Sequence, residues 1–479
     1  MHRGGVVLSL ALALVSADVW SNWDTRQVCH PHIHIRPSTA AELQQAVKDA
    51  TRVRIAGAGH SFSPIVLTDD TLITLEDYTD VVAFTNDTIT VQAGRPLYAI
   101  NDYLAGKGRA LPNLGAVAVH TAAGVTQTGT HGTGNTQCLS ANIVGMDLVL
   151  ANGTLKSLAA DEPLFDAARV GMGVMGAVST LTFRHVPLWT MEQITFTLPL
   201  DTFRQYRAAL LNTFERTQWY MNGLPSDSSV TVVLRVNTTA PITTGCWSNQ
   251  FSSTPVTPVP LGWAAWPAAT KACVDASYKV LGREGKNNTN IFTEMEMMLP
   301  VDKDVAALDD MLALHASVAD QHDPQVPLFL GFRYVQGDSI WLSPFYERDT
   351  VVVSTIVYHH GNYEPEIERY HRGMQSTLAK YAARPHPGKV NYFTRDEMTK
   401  VYPKLDAFVA LQRGLDPSGK FLNDYTRRLL ISGAESTELA TSTATVASFP
   451  VMQVLGVFVL VAIVSTAQNY RRREAYQQI

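Results

Sequence analysis

The stretch Arg54-Ile55-Ala56-Gly57-Ala58-Gly59-His60-Ser61-Phe62-Ser63-Pro64 takes an apolar, strand-like run, Val53 to Ile55, into a small-residue loop that presents one histidine. Gly57 and Gly59 flank Ala58, so the backbone can turn tightly, come close to a ligand and aim peptide N–H groups at a phosphate. His60 projects from the loop and not from a core face, and Ser61 adds a hydroxyl. Such a loop is common on its own and gains weight from two others. Thr121 to Gly134 is dense in small and hydroxyl residues and contains no Lys or Glu, which sets it apart from an ordinary solvated loop. Gly124, Thr128, Gly129, His131, Gly132 and Gly134 are its candidate cofactor contacts. Phe165 to Val178 again gathers glycine, with Gly173 and Gly176 just before an apolar strand. None of these loops has a Walker or Rossmann spacing with the strand and helix it requires, so a dinucleotide would be held in another way.

Around these loops the pattern alternates. Ser38 or Thr39 ahead of Glu42 is a capping-box signal for a helix reaching Ala50, and a strand follows to about Ile55. Leu72 to Leu75 and Ile89 to Gly94 read as short strands, and Pro96 to Leu104 as a helix. This alternation is that of an α+β ligand-binding domain, not of a bundle or a sandwich.

The chain has 479 residues, which predicts about two to three domains. A net charge of -5 provides no basic field, and nucleic acid is excluded as a partner. Met1 to Arg3 is basic, Gly4 to Val15 is apolar, and small residues follow, which marks residues 1–17 as a secretory signal cut after Ala17. Asn86, Asn152, Asn237 and Asn287 begin Asn-x-Ser/Thr sequons, as expected of a lumenal or extracellular glycoprotein. Cys29, Cys138, Cys246 and Cys273 are too few and too scattered for a disulfide scaffold or a zinc site, and no metal is expected. Cys246 and Cys273 share a region free of other motifs and are the favoured pair, although three pairings are formally open. At the far end, residues 431–445 form a Ser/Thr-rich stalk, and 446–467 carry no formal charge over a length that crosses a bilayer as a helix. Arg471, Arg472 and Arg473 then place the tail, 468–479, in the cytosol. The expectation is a single-pass type I protein of the endoplasmic reticulum or plasma membrane.

Taken together, Trp20-Ser21-Asn22-Trp23, Gly57 to Ser61, Thr128 to Gly134, Phe165 to Gly176, His386-Pro387-Gly388-Lys389 and Leu415 to Asn423 resemble the FAD-linked oxidoreductases of the vanillyl-alcohol-oxidase type, in particular the aldonolactone and alditol oxidase branch. These motifs run in order from about residue 20 to residue 430. The resemblance implies an α+β fold: a two-lobed FAD-binding domain of the PCMH type over 18–186, a cap domain over 187–380, and a segment over 381–430 that returns to complete the flavin site. It also implies FAD bound covalently through His60, with Gly57, Ala58, Gly59 and Ser61 around the ring. Lys389 matches the position that stabilises the reduced flavin or touches the substrate hydroxyl. His386 sits with it, although Pro387 replaces the branch's Trp.

A further match is Leu328 to Val335, read as a strand whose alternate residues Gly331 and Arg333 point together into the cap cleft. The branch has Glu-x-Arg here. Arg333 is kept, but the Glu position is Gly331, which removes a carboxylate and opens space. The expected function is FAD-dependent oxidation of an aldonolactone of the L-gulono-1,4-lactone kind, with oxygen or an electron carrier as acceptor. The alternatives are an alditol or other carbohydrate oxidase, and a noncatalytic flavin-containing surface protein that has lost its carboxylate.

Overall fold

A computed structural model describes residues 19–160, 162–222, 228–243, 246, 255–259, 262–282, 291–319, 329–358 and 364–431. The signal segment, the stalk beyond Ile431, the 446–467 stretch, the tail and the Asn287 sequon lie outside the described residues. Among the described residues, no helix is long and apolar enough to cross a membrane.

The first lobe is built from β1 (Ile33–Ile35), α1 (Ala40–Asp49), β2 (Val53–Ala56) and β3 (Thr71–Thr74), with the strands parallel in the order β1-β3-β2. Helix α1 starts where its capping box predicts: Thr39 accepts from the Glu42 N–H, and the Glu42 carboxylate accepts from the Thr39 N–H. Leu43, Ala46 and Val47 form its buried stripe. The second lobe holds β4 (Val81–Phe84), β5 (Thr88–Gln92), α2 (Leu97–Ala105), α3 (Ala122–Gln127), β6 (Ile143–Val149), β7 (Leu155–Ala159) and β8 (Ala177–Arg184). Its strands are antiparallel in the order β7-β6-β8-β5-β4.

The cap is one antiparallel sheet of eight strands: β9 (Thr190–Pro199), β10 (Arg216–Asn222), β11 (Ser229–Thr238), β12 (Lys271–Ala276), β13 (Phe292–Pro300), β14 (Phe329–Val335), β15 (Thr350–Tyr358) and β16 (Arg384–Pro385), ordered β12-β9-β11-β10-β14-β15-β13-β16. Because β16 comes from the C-terminal segment, that segment enters the cap sheet as well as the cofactor domain. Helices α4 (Leu200–Thr213), α5 (Asp304–Ala319) and α6 (Glu364–Leu378) cover one face. Strand alternation sends Met295, Met297, Leu330, Phe332, Val351, Val353, Trp219, Val232 and Leu234 to that face, where all are buried. Trp219 stacks on Phe332 at a centroid distance of 3.8 Å and donates to Tyr334 Oη at 3.0 Å, and Tyr334 donates to Asp304. The residues of opposite parity face the two lobes. The expected Cys246–Cys273 disulfide is formed, and Cys29 and Cys138 are free and buried.

One side chain ties the parts together. Arg54, on β2 immediately before the glycine loop, is 3% exposed and donates to the carbonyls of Ile65, Met172 and Phe421. Burial lowers its pKa to about 10, so the guanidinium stays charged. Replacing it by methionine strands three carbonyls at once. Arg54→Met is expected to lower unfolding free energy by about 3 kcal/mol or more in a urea titration and to weaken cofactor retention, whereas Arg36→Met, at an exposed ion pair with Glu76, should change little.

Candidate functional site

A cavity lies where the loops of the two lobes meet the lobe-facing side of the cap sheet. The His60 loop forms its first wall. Gly59 has φ +67°, a conformation that suits glycine, and its carbonyl accepts from the Trp23 N–H at 2.7 Å. Asn22 Nδ2 donates to the Ser61 carbonyl, and Trp23 stacks on the His60 ring at 5.5 Å. His60 Nδ1 lies 2.7 Å from the Ala58 carbonyl oxygen, which can only accept. Nδ1 therefore carries the proton and Nε2 keeps its lone pair. Burial pushes the His60 pKa down to about 4, so the ring is neutral near pH 7. His120, which the sequence reading missed, sits edge-on to His60 at 5.0 Å, and its buried Nδ1 has no partner among the described residues.

Gly115, Thr121, Gly124 and Thr128 form the second wall, and Met172, Gly173 and Gly176 the third. A Cβ at Gly57 would come within 2.2 Å of Thr121 Oγ1, so the first two walls meet backbone to side chain with no room between them. Three glycines expected at the cofactor are elsewhere. Gly129 packs against Pro344 and Val170, Gly132 against Leu114 and Asn113, and Gly134 donates to the Tyr334 carbonyl and joins the lobe to β14. They shape the loop without lining the cavity, and His131 between them turns inward.

The cap supplies the charges. Arg333 lines the cavity as expected, but Gly331 does not. A Cβ at Gly331 would meet the Phe329 ring at 2.8 Å, so the space left by a missing side chain is filled by its neighbour two residues back on the same face. Nor is the site without carboxylates. Strand β13 contributes Glu294 and Glu296, alternate residues that both face the cavity. Glu296 Oε2 lies 3.4 Å from His131 Nε2 and 3.9 Å from His386 Nε2, and its Oε1 lies 3.7 Å from Arg333 Nη1. Burial opposes its ionisation, yet Lys389, His131 and His386 outweigh that and hold its carboxyl well below the ordinary range. Glu294 accepts from Ser354 Oγ at 2.7 Å and pairs with Lys389 Nζ. The signal for both was present in Thr293-Glu294-Met295-Glu296-Met297-Met298, where charges two apart interrupt an apolar strand.

The His386-Pro387-Gly388-Lys389 turn is fixed despite its proline. The Pro387 carbonyl accepts from Ser63 Oγ and Tyr425 Oη, each at 2.7 Å, and the Gly388 carbonyl from the Phe62 N–H. The Gly388 N–H donates to His386 Nδ1, which leaves the His386 Nε2–H directed at Glu296. Burial lowers the His386 pKa to about 3. His131, Glu296 and His386 bring ligand-type atoms within 4.8 Å of one another, a spacing that could hold a cation. Arg333 and Lys389 already supply positive charge there, and Glu296 is hydrogen-bonded to His131 with His386 close by.

Residues 216–429 match the family of D-arabinono-1,4-lactone oxidases and residues 31–159 an FAD binding domain. The chain is 32% identical to L-gulono-1,4-lactone dehydrogenase of Mycobacterium tuberculosis over 445 residues, covering 86% of this chain and 99% of the relative. It is 28% identical to L-gulonolactone oxidase of Bos taurus, covering 86% and 98%. It is 31% identical to alditol oxidase of a Streptomyces species, covering 82% and 95%. Among solved structures, cholesterol oxidase from B. sterolicum superposes with a TM-score of 0.69 at 15% identity, over 86% of this chain and 96% of that one, a likeness of fold.

The buried histidines set a pH dependence. Between pH 6.5 and about 3, the unfolded chain takes up protons that buried His386 and His371 refuse when folded, so stability is full above that window and declines as pH falls through it. Each such group contributes a slope of about 1.4 kcal/mol per pH unit. Melting temperatures across the window should show this acid limb, and His386→Gln should make it shallower.

Proposed function

The chain belongs to the aldonolactone oxidase branch of the FAD-dependent oxidoreductases, and on that premise we propose that it oxidises an aldonolactone of the L-gulono-1,4-lactone kind, with oxygen as the electron acceptor. It is an oxidoreductase acting on CH–OH groups, and FAD is its cofactor. The cavity fits that cofactor in its own chemistry: backbone packed too closely at Gly57 for any side chain, and a neutral histidine with a free ring lone pair. When bound, the flavin accepts the hydride and passes the electrons on. In our reading Gly57, Ala58, Gly59, Ser61, Gly124, Thr128, Gly173 and Gly176 hold it by backbone and hydroxyl contacts, and His60 is bonded to its 8α-methyl.

The observation that carries the substrate reading is the pairing of charges on the cap face. A sugar lactone has a carbonyl and several hydroxyls but no net charge, so it suits donors and acceptors set side by side. Lys389 beside Glu294 and Arg333 beside Glu296 provide that arrangement. Lys389 and Arg333 would donate to lactone oxygens, and Lys389 is the cation suited to offset negative charge that develops on reduction. His386 acts through Glu296 as a positioning group. An alditol is the second reading, favoured by the likeness to an alditol oxidase across 95% of that relative. Glu294 and Glu296 keep carboxylates in the cavity although position 331 is glycine, which supports an oxidase over a noncatalytic surface protein.

We also propose that the catalytic unit faces the secretory lumen or cell exterior and is anchored by 446–467 in the endoplasmic reticulum or plasma membrane. The disulfide supports an oxidising compartment, and Asn86, Asn152 and Asn237 are exposed. Expressed full-length chain should resist alkaline carbonate extraction and shift in mobility after glycosidase treatment. Release by carbonate with no shift would contradict this placement.

The activity is tested on purified protein. It should be yellow, keep its flavin through acid precipitation and lose that property in His60→Ala. Anaerobic L-gulono-1,4-lactone should bleach it and air should restore the colour. Bleaching by xylitol alone would select the alditol reading, and no bleaching by either would sink both.

A further inference from the structure

We propose that Glu294 takes over the work of the carboxylate missing at Gly331 and is the catalytic base that receives the proton of the substrate hydroxyl. This rests on the reading of the cavity as a lactone- or polyol-oxidising site. The sheet register shows how one strand can serve for another. Ser354 on β15 is the direct neighbour of Gly331 on β14 and of Glu296 on β13, while Glu294 lies one pleat along, opposite Ile356. Glu294 nevertheless accepts from Ser354 Oγ at 2.7 Å. The Glu294 carboxylate therefore meets Ser354, the residue next to Gly331 in its row. Gly331 itself is covered by the Phe329 ring, which offers no proton acceptor there.

Of the two carboxylates, only Glu294 is free to act. Both Glu296 oxygens are surrounded, Oε2 by His131 and His386 and Oε1 by Arg333, and the side chain is 2% exposed. Held that firmly as an anion, it is a poor proton acceptor and serves to fix its neighbours. Glu294 has a single partner on each oxygen, Ser354 on Oε1 and Lys389 on Oε2. A carboxylate oxygen has about two acceptor positions, so each keeps one unfilled, and the residue lines the cavity. Lys389 would donate to the substrate oxygen from which Glu294 takes the proton.

The step balances. The hydroxyl O–H breaks and its proton goes to a Glu294 oxygen. The hydrogen on the same carbon leaves with its electron pair to the flavin, and C–O becomes C=O. The substrate is oxidised by two electrons, the flavin is reduced by two, and the proton on Glu294 returns to solvent.

The test is Glu294→Gln, which keeps the size and the contact to Ser354 while removing the charge. With whichever lactone or alditol reduces the wild-type flavin, the anaerobic rate of reduction should fall about 10²- to 10⁴-fold, while acid-stable flavin is retained. Adding Gly331→Glu with Phe329→Ala, to clear the ring that blocks position 331, should restore part of the rate. A second readout needs no substrate: removing a negative charge from the cavity should raise the flavin midpoint potential in a dye-coupled titration. An unchanged reduction rate in Glu294→Gln overturns the assignment. If no lactone or alditol bleaches the wild type, the functional reading is what fails. The potential then decides on Glu294 alone, and an unchanged potential overturns its placement.

Discussion

The Arg54 guanidinium is the point on which the cofactor cavity depends. It grows from the second residue of β2 and reaches the carbonyls of Ile65 behind the His60 loop, Met172 in the third glycine loop and Phe421 in the returning C-terminal segment. Loops made of glycine, alanine and serine have little side-chain surface to pack, and their backbone entropy is high. Something outside them must set their spacing. A buried, charged donor with several fixed N–H directions does this for three chain segments at once. The C-terminal segment reinforces it: Asn423 Nδ2 donates to the Pro64 and Leu67 carbonyls, and the Val53 N–H donates to the Lys420 carbonyl. The last described helix and the first glycine loop, more than 350 residues apart in sequence, are thus one unit.

The cap sheet makes the same kind of bargain on a larger scale. Its alternation gives one face to α4, α5 and α6 and turns the other, with Glu294, Glu296, Arg333 and the buried Arg235–Gln193–Gln218 group, toward the lobes. Charges on a buried face are costly unless partnered. Here each cavity carboxylate has a cation within reach, and burial keeps His386 beside Glu296 neutral near pH 7. The result is a polar surface with little net charge, suited to a neutral, oxygen-rich molecule.

Much of the cofactor half was legible from the chain alone. The capping box at Thr39, the strand ahead of Gly57, the disulfide and the convergence of His60, Thr128, Gly173, Gly176, Arg333, His386 and Lys389 on one cavity follow from local pattern or from family likeness. Three things did not. Gly129, Gly132 and Gly134 were read as cofactor contacts because glycine density shows flexibility but not which way a loop faces. Gly331 suggested an empty place because a strand pattern gives the face of a residue but not the reach of the Phe329 ring beside it. Glu294 and Glu296 lie on β13, not on the strand that matches the family's Glu-x-Arg, and the local pattern of β13 does not say which cavity its charges face. Register between strands β13, β15 and β14 is a long-range property that no single segment carries.

On the proposed reading, substrate is oxidised against the cap face that bears Glu294 and Arg333, beside Lys389 of the returning segment and opposite the His60 loop. A crystal structure of the FAD-loaded protein with a bound aldonolactone or its oxidised product tests it most directly. The expected result is the sugar ring between those three side chains and the flavin, with one hydroxyl within hydrogen-bond distance of a Glu294 oxygen. A ligand seated instead in the neighbouring cavity behind Phe62, among Arg26, His371 and Arg428, would contradict it.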